Sequence, residues 1–471
     1  MTMHTPPSPL SAAQTAALFD QGDPRPVHFV GIAGAGMSAL AELFHRRGIA
    51  VSGCDANLAG TGDLARLGIS MSQGHDASHV DNARALIVTS AMPKDHPELV
   101  AASAQGLEVI RRAEALGAAV NAGQLVAVAG THGKTTTTTM TTEGLAAAGL
   151  DPTGVVGARV ADWGGNLRRG QGAVFVVEAD EYDRSFLALR PTVAVMTNVE
   201  ADHLDIYKDL ADIRDTFAQF AAPARHVVLC ADDAGARSVP LPASAEVIRY
   251  GVMSPHARLI ARDVSPLGGG TRSMVVFDGE PLGELTLRMP GVHNVQNALA
   301  AIGSAIALGA PFERVAAGLA SVVGAERRFQ VLGEQGGVLV VDDYAHHPTE
   351  IEATLAAARA AYPGRRLVAA FQPHLYSRTR DFAKEFGQAI AKADVALIAD
   401  LYPAREQPIA GVSAALVARA TEAAGRAVAW EGPRVEMAEA LVRAVRAGDI
   451  VITLGAGDIT KTGPELLARL P

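Results

Sequence analysis

One run, Ala127-Val128-Ala129-Gly130-Thr131-His132-Gly133-Lys134-Thr135, narrows what this chain can fold into more than any other. An apolar strand pattern stops at Gly130, a turn bounded by two glycines follows, and a lysine and a row of threonines open a helix pattern. Such a turn is built to cradle a nucleotide triphosphate. Backbone N–H groups from Gly130 to Lys134 can face phosphate oxygens, and the helix start adds the positive end of its dipole. Lys134 supplies a point charge for the outer phosphates and Thr135 a hydroxyl for Mg²⁺. The longer phosphate-loop pattern asks for a glycine five residues before Gly133, where this chain has Val128. The plain alternative is a tight strand–turn–helix with an exposed lysine.

With 471 residues the chain exceeds one hydrophobic core, and three domains are expected, at 1–120, 121–330 and 331–471. A formal charge of −9 argues against general nucleic-acid binding, so any anionic ligand must be held by local basic groups. Cys54 and Cys230 lie far apart without metal-ligand spacing, which fits a reducing cytoplasm and no disulfide framework. The first twenty residues lack a basic start and an apolar block, and no apolar run nears the ~20 residues that span a bilayer. A cytoplasmic protein with no membrane insertion is expected.

Strand and helix signals alternate through the first segment: Val27–Val30, the turn Gly31-Ile32-Ala33-Gly34-Ala35-Gly36, a helix from about Met37 to Arg47, then strands ending at Asp55 and over Ala85–Thr89 and Leu107–Ile110. This pattern predicts a parallel sheet with covering helices. The middle segment continues with strands at Ala173–Val177, Val193–Thr197 and His226–Cys230. Antiparallel hairpins are expected between Ala257 and Met289, then helices over Asn294–Leu308 and Pro311–Val322. In the last segment, strands at Val338–Val341, Leu367–Phe371, Val395–Ala399, Ala427–Trp430 and Ile450–Leu454 alternate with helical stretches, an open βα sheet again.

Charged and polar clusters follow these strands. Gly31 to Gly36, with Asp55 some twenty residues on, suits a diphosphate at a helix start, although Ala33 replaces the middle glycine of the dinucleotide pattern. Glu178-Ala179-Asp180-Glu181 and Glu200-Ala201-Asp202-His203 end two strands on the edge where the phosphate loop sits, so a carboxylate, Thr135 and nucleotide phosphates can complete a Mg²⁺ shell. The same acids could be solvated loop charges. Asn294 either caps a helix or reads an adenine edge. His346 and His347 could be a metal pair, but no matching Cys or third His lies nearby. Arg378 and Arg380 suit bidentate carboxylate or phosphate binding, or Arg380 simply pairs with Asp381.

Seven ordered motifs carry a more specific signal: GTHGKTTT (130–137), EADEYDRSF (178–186), TNVEADHLD (197–205), GVHNVQNALAA (291–301), ERRFQ (326–330), DDYAHHPTE (342–350) and FQPHLYSRTRD (371–381). Together they resemble the Mur ligases, from Val27 to the closing Gly455-Ala456-Gly457-Asp458-Ile459. Within that family the phosphate loop lacks its first glycine, so Val128 is no departure. The first turn reads GIAGAG where GIGGIG is common, and 401–406 varies a segment that often carries a glycine before its glutamate. The resemblance implies a three-domain α/β fold: a Rossmann-like N-terminal domain, a central phosphate-loop ATPase-like domain with a small antiparallel section, and a C-terminal Rossmann-like open sheet.

It further implies an ATP-dependent, amide-bond-forming ligase of peptidoglycan precursor synthesis, with UDP-N-acetylmuramate and L-alanine as partners. The sugar diphosphate would lie over Gly31, Gly34 and Gly36. ATP would occupy Gly130, Thr131, His132, Gly133, Lys134, Thr135 and Thr136, with Asn294, Arg327 and Asp343 near the nucleotide. Mg²⁺ would sit on Thr135, Glu178 and His203, and Tyr344, His346, Arg378 and Arg380 would meet the amino acid and the muramyl carboxylate. Lys134, Glu178 and His203 are the expected catalytic residues, while the general base is either His203 or His346. Rival readings are a ligase for a preformed tripeptide, an NAD-dependent dehydrogenase built on the Gly31 turn, and a nucleotide-gated switch without ligase chemistry.

Overall fold

The computed structural model describes residues 6–471 apart from 91, 204, 205 and 405, so Leu204, Asp205 and Arg405 of the segments above lie outside the described residues. The chain forms two compact units. One comprises Met1–Arg262, Met274–Leu285 and Gln296–Val322, and the other Asp263–Ser273, Thr286–Val295 and Val323–Pro471.

The first segment builds a parallel sheet from β1 (Val27–Val30), β2 (Val51–Asp55), β3 (Ser70–Gln73), β4 (Ala85–Val88) and β5 (Glu108–Arg111), in the order β3-β2-β1-β4-β5. The order reverses beside β1, so the glycine turn after β1 opens at the crevice where doubly wound sheets bind ligands. The break near residue 120 is not a loose linker. Asn121 Nδ2 donates to Ala188 O at 3.0 Å and its Oδ1 accepts from Arg190 N at 2.8 Å, while a Cβ on Gly117 would stand 2.5 Å from Ala188 O.

Ten strands form the middle sheet: β6 (Gln124–Ala129), β7 (Thr153–Val160), β8 (Gly165–Arg168), β9 (Val174–Glu178), β10 (Val193–Met196), β11 (His226–Cys230), β12 (Glu246–Gly251), β13 (Leu259–Leu267), β14 (Gly270–Phe277) and β15 (Glu280–Leu287). Their order is β15-β14-β13-β12-β11-β10-β6-β9-β7-β8, with β6 flanked by β9 and β10. β6 pairs in parallel with both neighbours, so the phosphate loop and the acidic ends of β9 and β10 emerge on one edge. Sequence reading missed β7 and β8: β7 is exposed at its middle and pairs only irregularly with β8, which blurs the apolar pattern. The last sheet orders β16 (Gln330–Gln335), β17 (Val338–Asp343), β18 (Arg366–Phe371), β19 (Val395–Ala399), β20 (Val428–Gly432) and β21 (Asp449–Leu454) as β16-β17-β21-β18-β19-β20. Strand β16, also missed, joins β17 as a hairpin through Gly336 and Gly337, both at positive φ (58° and 74°) as a tight two-residue turn requires. No helix among the described residues is long and apolar enough to cross a membrane.

The threonine run is the front of the helix Lys134–Ala147, buried on nearly every side. A buried hydroxyl needs a partner. Thr138, Thr139, Thr141 and Thr142 find theirs one turn back, donating to the carbonyls of Lys134, Thr135, Thr137 and Thr138 at 2.7–2.9 Å. Thr137 instead donates across to Asn297 Oδ1 at 3.1 Å. Thr141→Val, which removes only a bond within the helix, is expected to leave the thermal unfolding midpoint almost unchanged. Thr137→Val should lower stability by about 1 kcal/mol more, because Asn297 loses a donor from another helix.

Candidate active site

The phosphate loop is fixed from β10. Thr131 N donates to Asn198 O at 3.1 Å and His132 N to Asn198 Oδ1 at 2.7 Å, while Thr197 Oγ1 donates to His132 O at 2.6 Å. Glu200 N closes the loop onto Thr131 Oγ1 at 2.9 Å. Gly130 has φ 141°, and a Cβ there would lie 2.0 Å from Thr197 Oγ1, so only glycine fits this close approach. Gly133, at φ 79°, turns the chain into the helix that begins at Lys134.

Lys134 is not the exposed lysine of the plain reading. Its Nζ donates to Gly130 O at 2.7 Å and to Glu181 Oε1 at 2.9 Å, with only 15% of the side chain exposed. Burial works against its charge, yet the carboxylates of Glu181, Asp180 and Glu178 outweigh it and hold the ammonium above its ordinary range. Burial pushes the Glu181 carboxyl up to about 7, with Asp180 adding to the shift and Lys134 opposing it. Glu181 lies within a quoted motif, but sequence reading gave it no role because nothing local says which of three neighbouring acids turns inward.

Glu178 ends β9 beside the phosphate-loop helix. Its Oε2 accepts from Thr135 Oγ1 at 3.0 Å and from Gly157 N at 2.8 Å. A hydroxyl and a carboxylate converging beside the phosphate loop fit a hard cation such as Mg²⁺. His203, at φ 54°, packs its ring edge-on to Tyr182, and its Nε2 stands 3.8 Å from Glu181 Oε1 and 3.7 Å from Asp202 Oδ2.

A cavity of about 370 Å³ opens beside the first glycine turn and reaches the acidic end of β9. Gly31, Gly34, Gly36 and Thr89 line one part, Gly157, Glu178 and Asp180 another, and Arg112 stands with them. Arg112 was not found from sequence. It opens a helix (Arg112–Val120) far along the chain from Gly31, and no local pattern marks it. A Cβ on Gly36 would come 2.9 Å from Arg112 Nη1, so Gly36 makes room for this guanidinium, whose Nη2 is 3.8 Å from Asp180 Oδ2. Asp55 turns back on the loop: Ala33 N donates to its Oδ2 at 3.1 Å and Asn57 N to its Oδ1 at 3.0 Å. Each Asp55 oxygen therefore already accepts one backbone N–H, one from the glycine turn and one from the bend after its own strand.

The second unit holds the remaining expected residues. Asn294 does not cap its helix, which starts at Val292 behind Gly291; the buried amide lies in the first turn and donates to Pro290 O at 2.7 Å. Arg327, at φ 62°, donates through Nε to Asp342 Oδ2 at 3.0 Å and through Nη2 to Gly455 O. The Tyr344 ring has the guanidinium carbons of Arg327 and Arg328 at 4.9 and 5.0 Å. His346 packs edge-on to Tyr344, whereas His347 packs against Phe382, so the adjacent imidazoles diverge and do not form a ligand pair. Arg378 is buried, while Arg380 is exposed and bound to Asp381 at 2.7 Å.

A glycine-bounded loop with a buried lysine, a hydroxyl–carboxylate pair beside it and a doubly wound sheet with a second glycine turn have the build of an α/β enzyme that handles a nucleotide triphosphate. The chain belongs to the Mur ligase family. The family's "catalytic domain" model matches residues 26–124, its "middle domain" model 128–305 and its "glutamate ligase domain" model 327–457. A UDP-N-acetylmuramate–L-alanine ligase of Geobacter sp. (strain M21) is 45% identical, covering 94% of this chain and 97% of that protein. The enzyme of that name from Cutibacterium acnes is 44% identical over 98% of this chain and 99% of its own length. Among solved structures, the UDP-N-acetylmuramate-alanine ligase MurC of Thermotoga maritima aligns with TM-score 0.81 at 28% identity, covering 94% of this chain and 98% of that one. A murein peptide ligase of Psychrobacter arcticus aligns with TM-score 0.69 at 25% identity over the same shares.

Asp343 accepts from Phe329 N and Ala345 N, both at 2.8 Å, and so shapes the loops on either side. Burial raises its carboxyl from 3.8 to about 6, against the pull of Arg328 and the two N–H donors. Between those values the folded chain keeps a proton that the unfolded chain has lost, so this contribution to stability falls as pH rises through the window. Asp343→Asn is expected to abolish that fall. Melting midpoints taken from pH 4 to 6 should move in favour of the variant relative to wild type as pH rises.

Proposed function

We propose that this chain joins L-alanine to the carboxylate of UDP-N-acetylmuramate through an acyl phosphate, releasing ADP and phosphate, as a step of peptidoglycan precursor synthesis in the cytoplasm. What carries the reading is the shared cavity. A nucleotide-sugar diphosphate over Gly31–Gly36 beside Arg112 would share its cavity with Glu178 and Asp180, and Glu178 in turn accepts from Thr135 at the start of the phosphate-loop helix. A dehydrogenase has no use for that loop.

In this reading the sugar carboxylate attacks the γ-phosphoryl of ATP, the bond to the β-phosphate oxygen breaks, and ADP leaves. The amine of L-alanine then attacks the acyl carbon, loses a proton, and phosphate departs. No enzyme nucleophile is required, which suits two buried cysteines that form no disulfide. Lys134 neutralises charge building on the transferred phosphoryl oxygens, and Glu181 keeps that ammonium charged and aimed. Thr135 and Glu178 would hold Mg²⁺, with His203 as a further ligand or as the base for the amine; the ion would screen phosphate charge and orient the γ-phosphoryl. Arg378, Tyr344 and His346 serve the amino acid and the muramyl carboxylate, and Asn294, Arg327 and Asp343 the nucleotide side. Arg380 must leave Asp381 to take part.

Phosphate release from ATP, measured with UDP-N-acetylmuramate and each amino acid in turn, tests the assignment. L-Alanine should stimulate turnover; stimulation by a tripeptide but not by L-alanine would move the chain to the murein peptide ligases. Lys134→Ala is expected to abolish ADP formation while UDP-N-acetylmuramate binding persists. Arg112→Ala should weaken that binding by roughly 10–100-fold, the loss of one charge-assisted hydrogen bond at about 1.5–3 kcal/mol, with little change in KM for ATP.

A further inference from the structure

Beneath the first sheet lies a cluster that the ligase chemistry does not use. Glu98, on the helix Pro97–Ala104, has no solvent exposure. Around its carboxylate stand Cys54 Sγ at 3.0 Å from Oε1, His79 Nδ1 at 3.0 Å from Oε1, and His28 Nε2 at 3.6 Å from Oε2. These donors come from β2, a 3₁₀ turn (Ala77–Val80) and β1. His75 Nδ1 is a fifth and more exposed donor, 3.3 Å from Cys54 Sγ and 3.5 Å from Glu98 Oε1.

We propose that His28, Cys54, His79 and Glu98 form a binding site for a divalent transition-metal ion, zinc above others, separate from the phosphate-loop cation. The donor atoms all lie within 4.8 Å of one another. Around a tetrahedral ion with bonds of about 2.0–2.3 Å, neighbouring donors are roughly 3.3–3.8 Å apart, so a pair as far apart as 4.8 Å would close by about 1 Å or more on binding. One thiolate, one carboxylate and two imidazoles favour zinc over Mg²⁺ or Ca²⁺ and balance its charge. The orientation of His28 is an independent sign. It is 2% exposed, its Nδ1 is fixed by Ser52 Oγ at 2.9 Å, and its Nε2 points at the cluster with no hydrogen-bond partner among the described residues. An outer hydrogen bond of this kind is what sets the tautomer of a metal-binding imidazole.

Cys54 Sγ donates its proton to Glu98 Oε1 at 3.0 Å. Binding would displace that proton to solvent as the metal–sulfur bond forms. The Cys54 carbonyl also accepts from Gly31 N at 2.8 Å and Ile32 N at 3.0 Å, so an ion on Cys54 would stiffen the first glycine turn.

Chelator-treated full-length protein titrated with Zn²⁺ or Co²⁺ tests the site. One equivalent per chain should bind, with tetrahedral cobalt bands, a thiolate-to-cobalt charge-transfer band and a higher melting midpoint. Cys54→Ser should remove the charge-transfer band, and His79→Gln should weaken uptake at least ~100-fold. Glu178→Gln should leave both signals intact. No binding by wild type, or a cobalt spectrum unchanged by Cys54→Ser, would overturn the proposal. Neither outcome bears on the ligase reading, which the turnover assay tests on its own.

Discussion

The buried pair between Lys134 and Glu181 is the constraint around which the nucleotide site is arranged. A lysine with so little exposure stays charged only if opposite charge is close, and here Glu181 sits at 2.9 Å with Asp180 and Glu178 behind it. The same ammonium binds Gly130 O, so the loop's shape and the lysine's charge are held by one group. Glu178 cannot collapse onto Lys134, because Thr135 and Gly157 hold its outer oxygen. One acid is thus committed to the lysine, one to Thr135 and Gly157, and Asp180 faces Arg112 in the cavity.

Local patterns were legible wherever chemistry and chain order coincide. The glycine-bounded loop, the threonine helix and the parallel strands around β6 follow from residues adjacent in sequence, and ordered motifs supplied the family. Arg112 was not legible, because its partner Gly36 lies in another element and only the folded sheet brings them together. The His28, Cys54, His79 and Glu98 cluster was invisible for the same reason: its spacings match no ligand pattern, and β1, β2 and a covering helix converge only in three dimensions. Strands β8 and β16 lie at sheet edges, and β7 is exposed at its middle, so all three lose part of the apolar signature on which strand recognition depends.

Asn294 and Asp55 show how a familiar residue type misleads. An asparagine near a helix start suggests a cap, yet Gly291 already supplies the bend and leaves Asn294 inside the first turn. An acid twenty residues after a glycine turn suggests a ribose ligand, yet Asp55 Oδ2 accepts from Ala33 N of that turn and Oδ1 from Asn57 N just beyond the strand. In each case a neighbouring backbone group had the prior claim on the side chain.

The seam at Gly117 and Asn121 bears on how relatives of this chain can be recombined. Asn121 answers to Ala188 and Arg190, and the Gly117 backbone lies against Ala188 O. A chimera cut at residue 120 would therefore bring together a helix and a loop that evolved apart, and a slightly larger residue at either place would pry them open. Crossovers that keep the first 190 residues from one parent preserve the match. The smallest portable module of this chain is therefore longer than its first sheet.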